Sequence, residues 1–180
     1  MSIANKLKDI VRRLTGEIPT STLVKRGLKV GSDFNRQQGC YIDPTHCFLI
    51  EIGNNVTFSI RVTLLAHDAS TKKILGYTKI GRVTVGDNVF VGANTTILPG
   101  VQIGNNVIVG AGSVVTRSIP DGMVAAGNPA KVICSLEDYK AKWTTANRDF
   151  DRSYRFSKAL TDAQIQELQE ATRDGISFID

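Results

Sequence analysis

Aliphatic residues recur at every sixth position through the middle of the sequence. The unbroken ladder consists of Val85, Val91, Ile97, Ile103, Val109 and Val115. An earlier block keeps the register at Ile52, Phe58 and Leu64, and a looser start is visible at Val30. A period of six fits neither an alternating strand nor a helix, but it fits short strands joined by tight corners where Gly or Asn adopts positive φ. Since stacked coils of such strands bury a continuous column of Val and Ile, the pattern predicts an all-β solenoid.

Helical patterns flank the hexads on both sides. The first predicted helix has an apolar face made of Ile3, Leu7, Ile10, Val11 and Leu14. In the tail, Thr161 and Gln164 predict a capping box, and Gly175 is the expected end of that helix. The tail aromatics are expected to pack against the solenoid or a neighbouring subunit, with an acceptor platform as the alternative: Trp143, Phe150, Tyr154 and Phe156. We expect an N-terminal arm over 1–27, a solenoid over 28–135 and a helical tail over 136–180.

Composition narrows the class of protein. The chain has 180 residues, of which 42% are hydrophobic, so it is expected to form a packed core and not to be disordered throughout. No apolar run is long enough for a transmembrane helix, and the charges scattered through the N-terminus are unlike a secretory signal. Three cysteines, an odd number, fit reduced thiols better than a disulfide framework. We therefore expect a cytoplasmic protein.

The net charge of +5 is concentrated in the arm. The first 30 residues carry seven basic side chains against Asp9 and Glu17, whereas the remaining 150 residues are balanced. A basic amphipathic helix either packs its apolar face on its own protein, which is the commoner case and our expectation, or lies on the inner face of an anionic membrane. Nucleic acid is not expected as a partner, because no aromatic residue precedes Phe34 and no nucleic-acid-binding module is recognisable.

The repeats and the segment VGAGSVVTRSIPDGMVAAGNPAKVI (109–133) resemble the hexapeptide-repeat acyltransferases. Within that family the sequence looks most similar to the galactoside, maltose, xenobiotic and capsule-type O-acetyltransferases. The resemblance implies a left-handed parallel β-helix with three hexads per coil. It also implies a homotrimer that holds acetyl-CoA in clefts between neighbouring chains.

The ladder is interrupted over residues 66–84, and His67 lies at the root of this polar loop. The resemblance implies that His67 is the general base, and imidazole is suited to accepting a hydroxyl proton near neutral pH. A backbone carbonyl is the expected partner that orients the ring, with Asp68 as a weaker candidate. The same resemblance places a backbone N–H near Ala93 as the donor to the tetrahedral oxyanion.

Coenzyme A requires close backbone approach along its pantetheine arm and cations at its phosphates. The residues expected to bind it are Ala93, Ala111, Gly112, Ser113, Thr116, Arg117 and Lys131. Of these, Thr116, Arg117 and Lys131 match basic or polar coenzyme-contacting positions of the family. The family often has a further basic residue three positions after Lys131, and here that position is Cys134.

No metal site is expected, because the spacing of His46 with Cys40 and Cys47 matches no zinc pattern. Asp43 and His46 are expected either to contact the acceptor or to form a structural corner around Pro44.

The expected function is acetyl-CoA-dependent O-acetylation of a carbohydrate hydroxyl, on a polysaccharide or its precursor. The nearest alternative is N-acetylation of an amino sugar or a nucleotide-linked amino sugar on the same fold. A non-catalytic scaffold is a third possibility and predicts no thioester turnover. A carbonic anhydrase of the same fold needs three histidine ligands, whereas the sequence has two histidines in total.

Overall fold

The computed structural model describes residues 3–144, 150 and 159–179, with the side chains of residues 3–8 left outside that description. The chain divides into two compact units, 1–136 and 137–180. The arm and the solenoid therefore belong to one unit, and the tail forms the other.

The strands of the first unit are short, as the period of six requires. They are β1 (Lys29–Val30), β2 (Asn35–Arg36), β3 (Tyr41–Ile42), β4 (Ile50–Ile52), β5 (Thr57–Phe58), β6 (Thr63–Leu64), β7 (His67–Asp68), β8 (Lys79–Ile80), β9 (Val83–Val85), β10 (Phe90–Val91), β11 (Thr96–Ile97), β12 (Gln102–Ile103), β13 (Ile108–Val109), β14 (Val114–Val115), β15 (Met123–Gly127) and β16 (Ala130–Ser135). Among the described residues the α-helices are α1 (Ile3–Leu14), α2 (Thr20–Lys25), α3 (Lys72–Leu75), α4 (Leu136–Thr144) and α5 (Asp162–Ala171).

Successive strands pass in turn to three parallel sheets, which makes a β-helix with three strands per coil. Sheet S1 has the order β1-β4-β9-β12, and sheet S3 has the order β3-β6-β11-β14. Sheet S2 runs β2-β5-β10-β13-β15 and ends on β16, which pairs antiparallel. We name the corner from S1 to S2 the first corner, that from S2 to S3 the second, and that from S3 back to S1 the third. The expected three hexads per coil are confirmed.

The predicted ladder is the core. All six residues from Val85 to Val115 are buried, and so are Ile52, Phe58 and Leu64. The glycines that follow the aliphatic residues serve a different purpose from the one expected, because Gly92 lacks positive φ. A Cβ at Gly92 would lie 2.4 Å from the backbone nitrogen of Ala111 in the next coil, so close stacking requires glycine there.

Positive φ falls later in the corners, on asparagine at four positions and elsewhere on residues such as Asp33, Arg61 and Gly112. Asn55, Asn88 and Asn106 stack at the first corner with φ between 52° and 56°. Their amides form a ladder, since Asn55 Nδ2 donates to Asn88 Oδ1 at 2.9 Å and Asn88 Nδ2 donates to Asn106 Oδ1 at 3.3 Å. Asparagine tolerates the left-handed conformation and also links neighbouring coils.

The arm covers the open edge of the first coil. Leu23 of α2 and Leu28 are buried in the solenoid core, and Ile18 packs against it. The apolar face of α1, however, points away from the protein: Ile10, Val11 and Leu14 are 55%, 53% and 83% exposed. The expectation that this face packs on its own chain is therefore wrong for these three residues. Within the described residues, no helix combines the length and apolar character needed to cross a bilayer.

The second unit contains α5 and most of α4. The predicted capping box is confirmed, since Thr161 caps α5 and exchanges hydrogen bonds with Gln164. The helix ends at Ala171, before the expected stop at Gly175. Trp143 packs edge-on against the Tyr139 and Phe178 rings, with centroids 6.2 and 5.8 Å away. Of the other tail aromatics, Phe150 is buried, whereas Tyr154 and Phe156 lie outside the described residues.

Candidate active site

Two insertions leave the solenoid at the same corner. Stacked positions lie 18 residues apart between the third and fourth coils, but 22 apart between the first and second and 33 apart between the second and third. The extra residues fall after β3 and after β6, both at the third corner. Because parallel coils stack in register, the roots of the two insertions, 43–49 and 65–82, are brought against each other. Asp43, His46 and His67 meet there.

Asp43 is fully buried at the root of the first insertion. Its Oδ1 atom accepts hydrogen bonds from Thr45 N at 3.1 Å, Thr45 Oγ1 at 2.8 Å and His46 N at 3.2 Å, which is the usual way an aspartate closes a turn before proline and threonine. Its Oδ2 atom accepts from Ala66 N at 3.1 Å. The carboxylate therefore joins two successive coils.

The second partner of Asp43 Oδ2 is Nδ1 of His67, at 2.5 Å. Since an ionised carboxylate only accepts hydrogen bonds, Nδ1 of a neutral His67 ring must carry the proton. The other ring nitrogen, Nε2, is then the acceptor. With 31% of its side chain exposed, His67 has a fixed ring that can still be reached by a ligand.

The pKa of Asp43 reflects this arrangement. Burial by itself raises the pKa, but hydrogen bonds from His67, Thr45 and the backbone N–H groups of Ala66 and His46 outweigh it and lower the pKa to about 2. Asp43 therefore stays ionised at every pH at which an imidazole changes its protonation state. This keeps the Nδ1 proton of His67 in place.

Two sequence expectations about orientation need correction. The group that orients His67 is the Asp43 carboxylate and not a backbone carbonyl. Asp68 faces elsewhere, since it accepts from Ser70 N at 2.8 Å and pairs with Lys79 Nζ at 2.6 Å across the β7–β8 hairpin. Of the two alternatives expected for Asp43, its burial and its hydrogen bonds from Thr45 and His46 agree with the structural corner around Pro44 and not with an acceptor contact.

His46 forms one wall beside the dyad. Its ring centroid lies 4.7 Å from that of His67 and 5.9 Å from that of Phe48, and its Nδ1 lies 2.9 Å from Thr45 Oγ1. The side chain is 29% exposed, and Phe48 is 56% exposed. The His46 ring therefore lies between His67 and the exposed Phe48 ring, and together they form a surface suited to the face of a sugar ring.

Asp43, His46 and His67 also present possible metal ligands within 4.8 Å of one another. One carboxylate and two imidazoles could hold a divalent ion at that spacing. The hydrogen bonds of Asp43 and His46 account for the arrangement without a metal. The thiols of Cys40 and Cys47 are directed to other partners than His46: Cys40 Sγ contacts Ser59 O at 3.0 Å, and Cys47 Sγ contacts Leu23 O at 3.6 Å.

The residues expected to bind coenzyme A divide between two corners. Ala93, Ala111 and Gly112 stack at the second corner, where Gly112 N donates to Ala93 O at 2.7 Å. Lys131 is exposed on β16, opposite Ala126 near the same corner. Exposed Thr116 and Arg117 follow β14 at the third corner, which is also the corner of His67.

Ser113 does not offer its side chain to a ligand. It is fully buried, its Oγ donates to Gly110 O at 2.6 Å, and the same atom accepts from Gly127 N at 3.1 Å. The hydroxyl fastens the β15–β16 hairpin to the last full coil. This corrects the expectation for Ser113, whose carbonyl oxygen also accepts from Thr96 N at 2.8 Å.

Comparison with known proteins identifies the family to which the chain belongs. A family model described as bacterial transferase hexapeptide (six repeats) matches residues 82–117. The putative acetyltransferase YJL218W of Saccharomyces cerevisiae is 34% identical over 152 residues, which span 79% of this chain and 76% of that protein. The chain belongs to the hexapeptide-repeat transferase family, and the predicted family is confirmed.

Two further proteins are similar over somewhat less than two thirds of this chain. Protein CapG of Staphylococcus aureus is 44% identical over 115 residues, which span 62% of this chain and, at 66%, slightly less than two thirds of CapG. The crystal structure of a maltose O-acetyltransferase from Clostridium difficile is 39% identical with a TM-score of 0.53, and the match covers 61% of this chain and 59% of that one.

Proposed function

We propose that this protein is an acetyl-CoA-dependent O-acetyltransferase that acts on a hydroxyl of a carbohydrate, with His67 as general base and Asp43 as its positioning residue. The observation that carries the proposal is the hydrogen bond between His67 Nδ1 and Asp43 Oδ2, which leaves Nε2 as the proton acceptor of a ring that is 31% exposed. Acetyl transfer and the oxygen acceptor are supported by the maltose O-acetyltransferase, and a role in polysaccharide assembly rests on the capsule-type resemblance.

The reaction needs one proton carrier. Nε2 of His67 takes the proton of the acceptor hydroxyl as its oxygen forms a bond to the thioester carbonyl carbon. The tetrahedral intermediate collapses with cleavage of the carbon–sulfur bond, and the imidazolium returns the proton to the departing thiolate. Ionised Asp43 stabilises the imidazolium between the two steps. No acyl-enzyme is formed.

Two chains are needed to bring the donor to this base. The second and third corners of one chain are separated by about six residues of extended strand and turn, or roughly 15–20 Å. The predicted contacts at Ala111 and Gly112 therefore lie on the opposite side of sheet S3 from His67. A neighbouring chain would supply its second corner to the third corner of this one. This division supports the homotrimer that the family resemblance implies, whereas the left-handed coil rests on the resemblance itself.

In that arrangement each predicted residue has a distinct place. Arg117 and Thr116 belong to the chain that supplies His67, whereas Lys131 and the Ala93 N–H group that would face the oxyanion come from the neighbour. His46 and Phe48 border the acceptor side of His67, and we infer that they contact the acceptor.

The test is release of free thiol from acetyl-CoA over a panel of sugars, amino sugars and glycan fragments. We expect turnover on a hydroxyl acceptor that falls about 10²-fold or more in His67→Ala, as for a lost general base. Lys79→Gln, on the same hairpin but away from the dyad, is the matched control. Turnover restricted to amines would replace the proposal by N-acetylation. Equal turnover in wild type and His67→Ala would refute the assigned base, and no turnover and no acetyl-CoA binding would indicate a scaffold.

A further inference from the structure

Helix α1 is oriented with polar side chains toward its own protein. Asp9 is 7% exposed, and its two carboxylate oxygens accept the backbone N–H groups of Thr20 and Ser21 at 3.1 and 3.2 Å. Arg12 also points inward: its side chain is 11% exposed, it lies 3.7 Å from Asp9, and it donates to the backbone oxygen of Arg36. Polar contacts, and not the apolar residues described, attach this helix to the solenoid.

The opposite face of α1 is apolar and exposed. Ile10 and Leu14 are one turn apart, and Val11 lies beside them, so the three side chains share one face. Their exposures of 55%, 83% and 53% are far above those of the core. We call Ile10, Val11 and Leu14 the outer face of α1. An amphipathic helix with its apolar side outward requires an apolar environment outside its own fold.

The exposed charge of the arm is positive. Arg13 on α1 and Lys25 and Arg26 at the end of α2 are exposed. The two acidic residues of the first 30 are both engaged inward: Asp9 caps α2, and Glu17 Oε1 accepts from Gly39 N at 2.8 Å while its Oε2 lies 3.8 Å from Arg36. The exposed surface of the arm is therefore more basic than the numbers of basic and acidic residues in its sequence indicate.

We propose that the outer face of α1 docks on an anionic lipid bilayer, with the exposed basic residues of α1 and α2 contacting the headgroups. Apolar side chains flanked by basic ones are the pattern of helices that lie in a membrane interface. Charge selects this occupant over a twofold contact with a second copy of the chain. A symmetric contact between two copies of this face would bring its basic residues together without acidic partners.

The experiment is co-sedimentation of the full chain with vesicles, a readout that requires no enzymatic activity. The probes are phosphatidylcholine vesicles and vesicles of equal parts phosphatidylcholine and phosphatidylglycerol. We expect binding to the second kind that weakens as salt is raised. Replacing Arg13, Lys25 or Arg26 with Gln should each weaken binding about fivefold. Ile10→Gln combined with Leu14→Gln should weaken it at least about tenfold.

Matched controls come from the insertion 65–82 of the same unit, which also carries exposed apolar and basic side chains. Ile74 and Leu75 are 78% and 64% exposed, and Lys72 and Lys73 adjoin them. Changing Ile74 and Leu75 to Gln, or the two lysines to Gln, should leave vesicle binding unchanged. The proposal is overturned if wild type does not sediment with anionic vesicles, if both vesicle types bind equally, or if the control variants lose as much binding. It is also overturned if Ile10→Gln with Leu14→Gln changes only the oligomeric mass in solution.

Discussion

Asp43 and His67 are 24 positions apart in the sequence, and the Oδ2 atom of one lies 2.5 Å from the Nδ1 atom of the other. Each residue follows a strand of sheet S3 at the third corner, Asp43 after β3 and His67 after β6. Stacking of two coils thus produces a carboxylate–imidazole dyad from two separate insertions. In the dyad the carboxylate is fully buried, whereas 31% of the His67 side chain is exposed.

Replacing Asp43 with Asn should impair turnover more than binding. The side-chain amide can donate to Nδ1 of His67, which favours the tautomer with the proton on Nε2 and removes the base. We expect kcat to fall by about 10²-fold or more with little change in KM for acetyl-CoA. Steady-state thiol release measures both constants.

Asp68→Asn is the control for that variant, since Asp68 is the neighbouring carboxylate and pairs with Lys79 instead of a histidine. It should retain near-normal kcat. Equal losses in the two variants would mean that general perturbation of the loop, and not the dyad, controls turnover.

The lowered pKa of Asp43 predicts a specific acid dependence of stability. Its ordinary pKa is 3.8 and its folded value is about 2, so its contribution to the free energy of unfolding is fully present above about pH 4 and is lost as the pH falls through 2. The magnitude should be about 1–2 kcal/mol. Urea unfolding of wild type and Asp43→Asn at several pH values measures it.

The two proteins should differ in free energy of unfolding near neutral pH and converge as the pH approaches 2, because protonated Asp43 resembles Asn. A difference that is constant from pH 7 to pH 2 would mean that the ionised form of Asp43 contributes nothing to stability.

The core of the solenoid could be predicted from sequence because its requirements repeat. Every coil places one residue such as Val91 or Val109 inside, and the closed interior admits few alternatives, so a single period identifies the core. The corner asparagines were predictable for the same reason. Their positive φ recurs at one place in the coil.

The partner of His67 was missed because the dyad is not periodic. Asp43 belongs to an insertion, and its contact with His67 depends on the pairing of Ile42 with Leu64, 22 positions apart instead of 18. An alignment of the sequence in coils that allowed an insertion after β3 would have placed Asp43 and His67 at the same corner. The hexad pattern alone gives no such signal.

The prediction of which face of α1 packs against the protein was also wrong. An apolar face on a helix predicts burial only when nothing else attaches the helix to the fold. Here Asp9 caps α2 and Arg12 contacts the first coil, and these specific polar contacts set which side faces inward. The sequence shows that the helix is amphipathic, whereas the orientation follows from contacts with distant residues.

Gly92→Ala should destabilise the solenoid. The added Cβ would lie 2.4 Å from Ala111 N in the adjoining coil, and backbone atoms in a stacked ladder cannot move aside locally. We expect a loss of about 1–3 kcal/mol in the free energy of unfolding. Thermal and urea unfolding measure it. Gly175→Ala, where a Cβ meets nothing within 4 Å, is the control and should change stability little. Unchanged stability in Gly92→Ala would contradict the stacking described.

Mixed assemblies test whether each site is built from two chains. His67→Ala removes the base at the third corner, and Ala111→Trp places a bulky side chain on the exposed second corner where the donor is proposed to bind. Each variant alone should be inactive. If neighbouring chains each supply one corner, co-refolded equal mixtures should regain about one quarter of the wild-type sites, because that fraction pairs an intact His67 with an intact second corner.

Mixing the two folded variants without exchange of chains should restore nothing, which controls for contaminating wild type. A site contained within one chain predicts no recovery even after co-refolding, because every chain then carries one defect. Recovery therefore requires that the base of one chain act on a donor held by its neighbour. Lack of recovery, with mixed assemblies verified by mass, would place the donor and the Asp43–His67 dyad on the same chain.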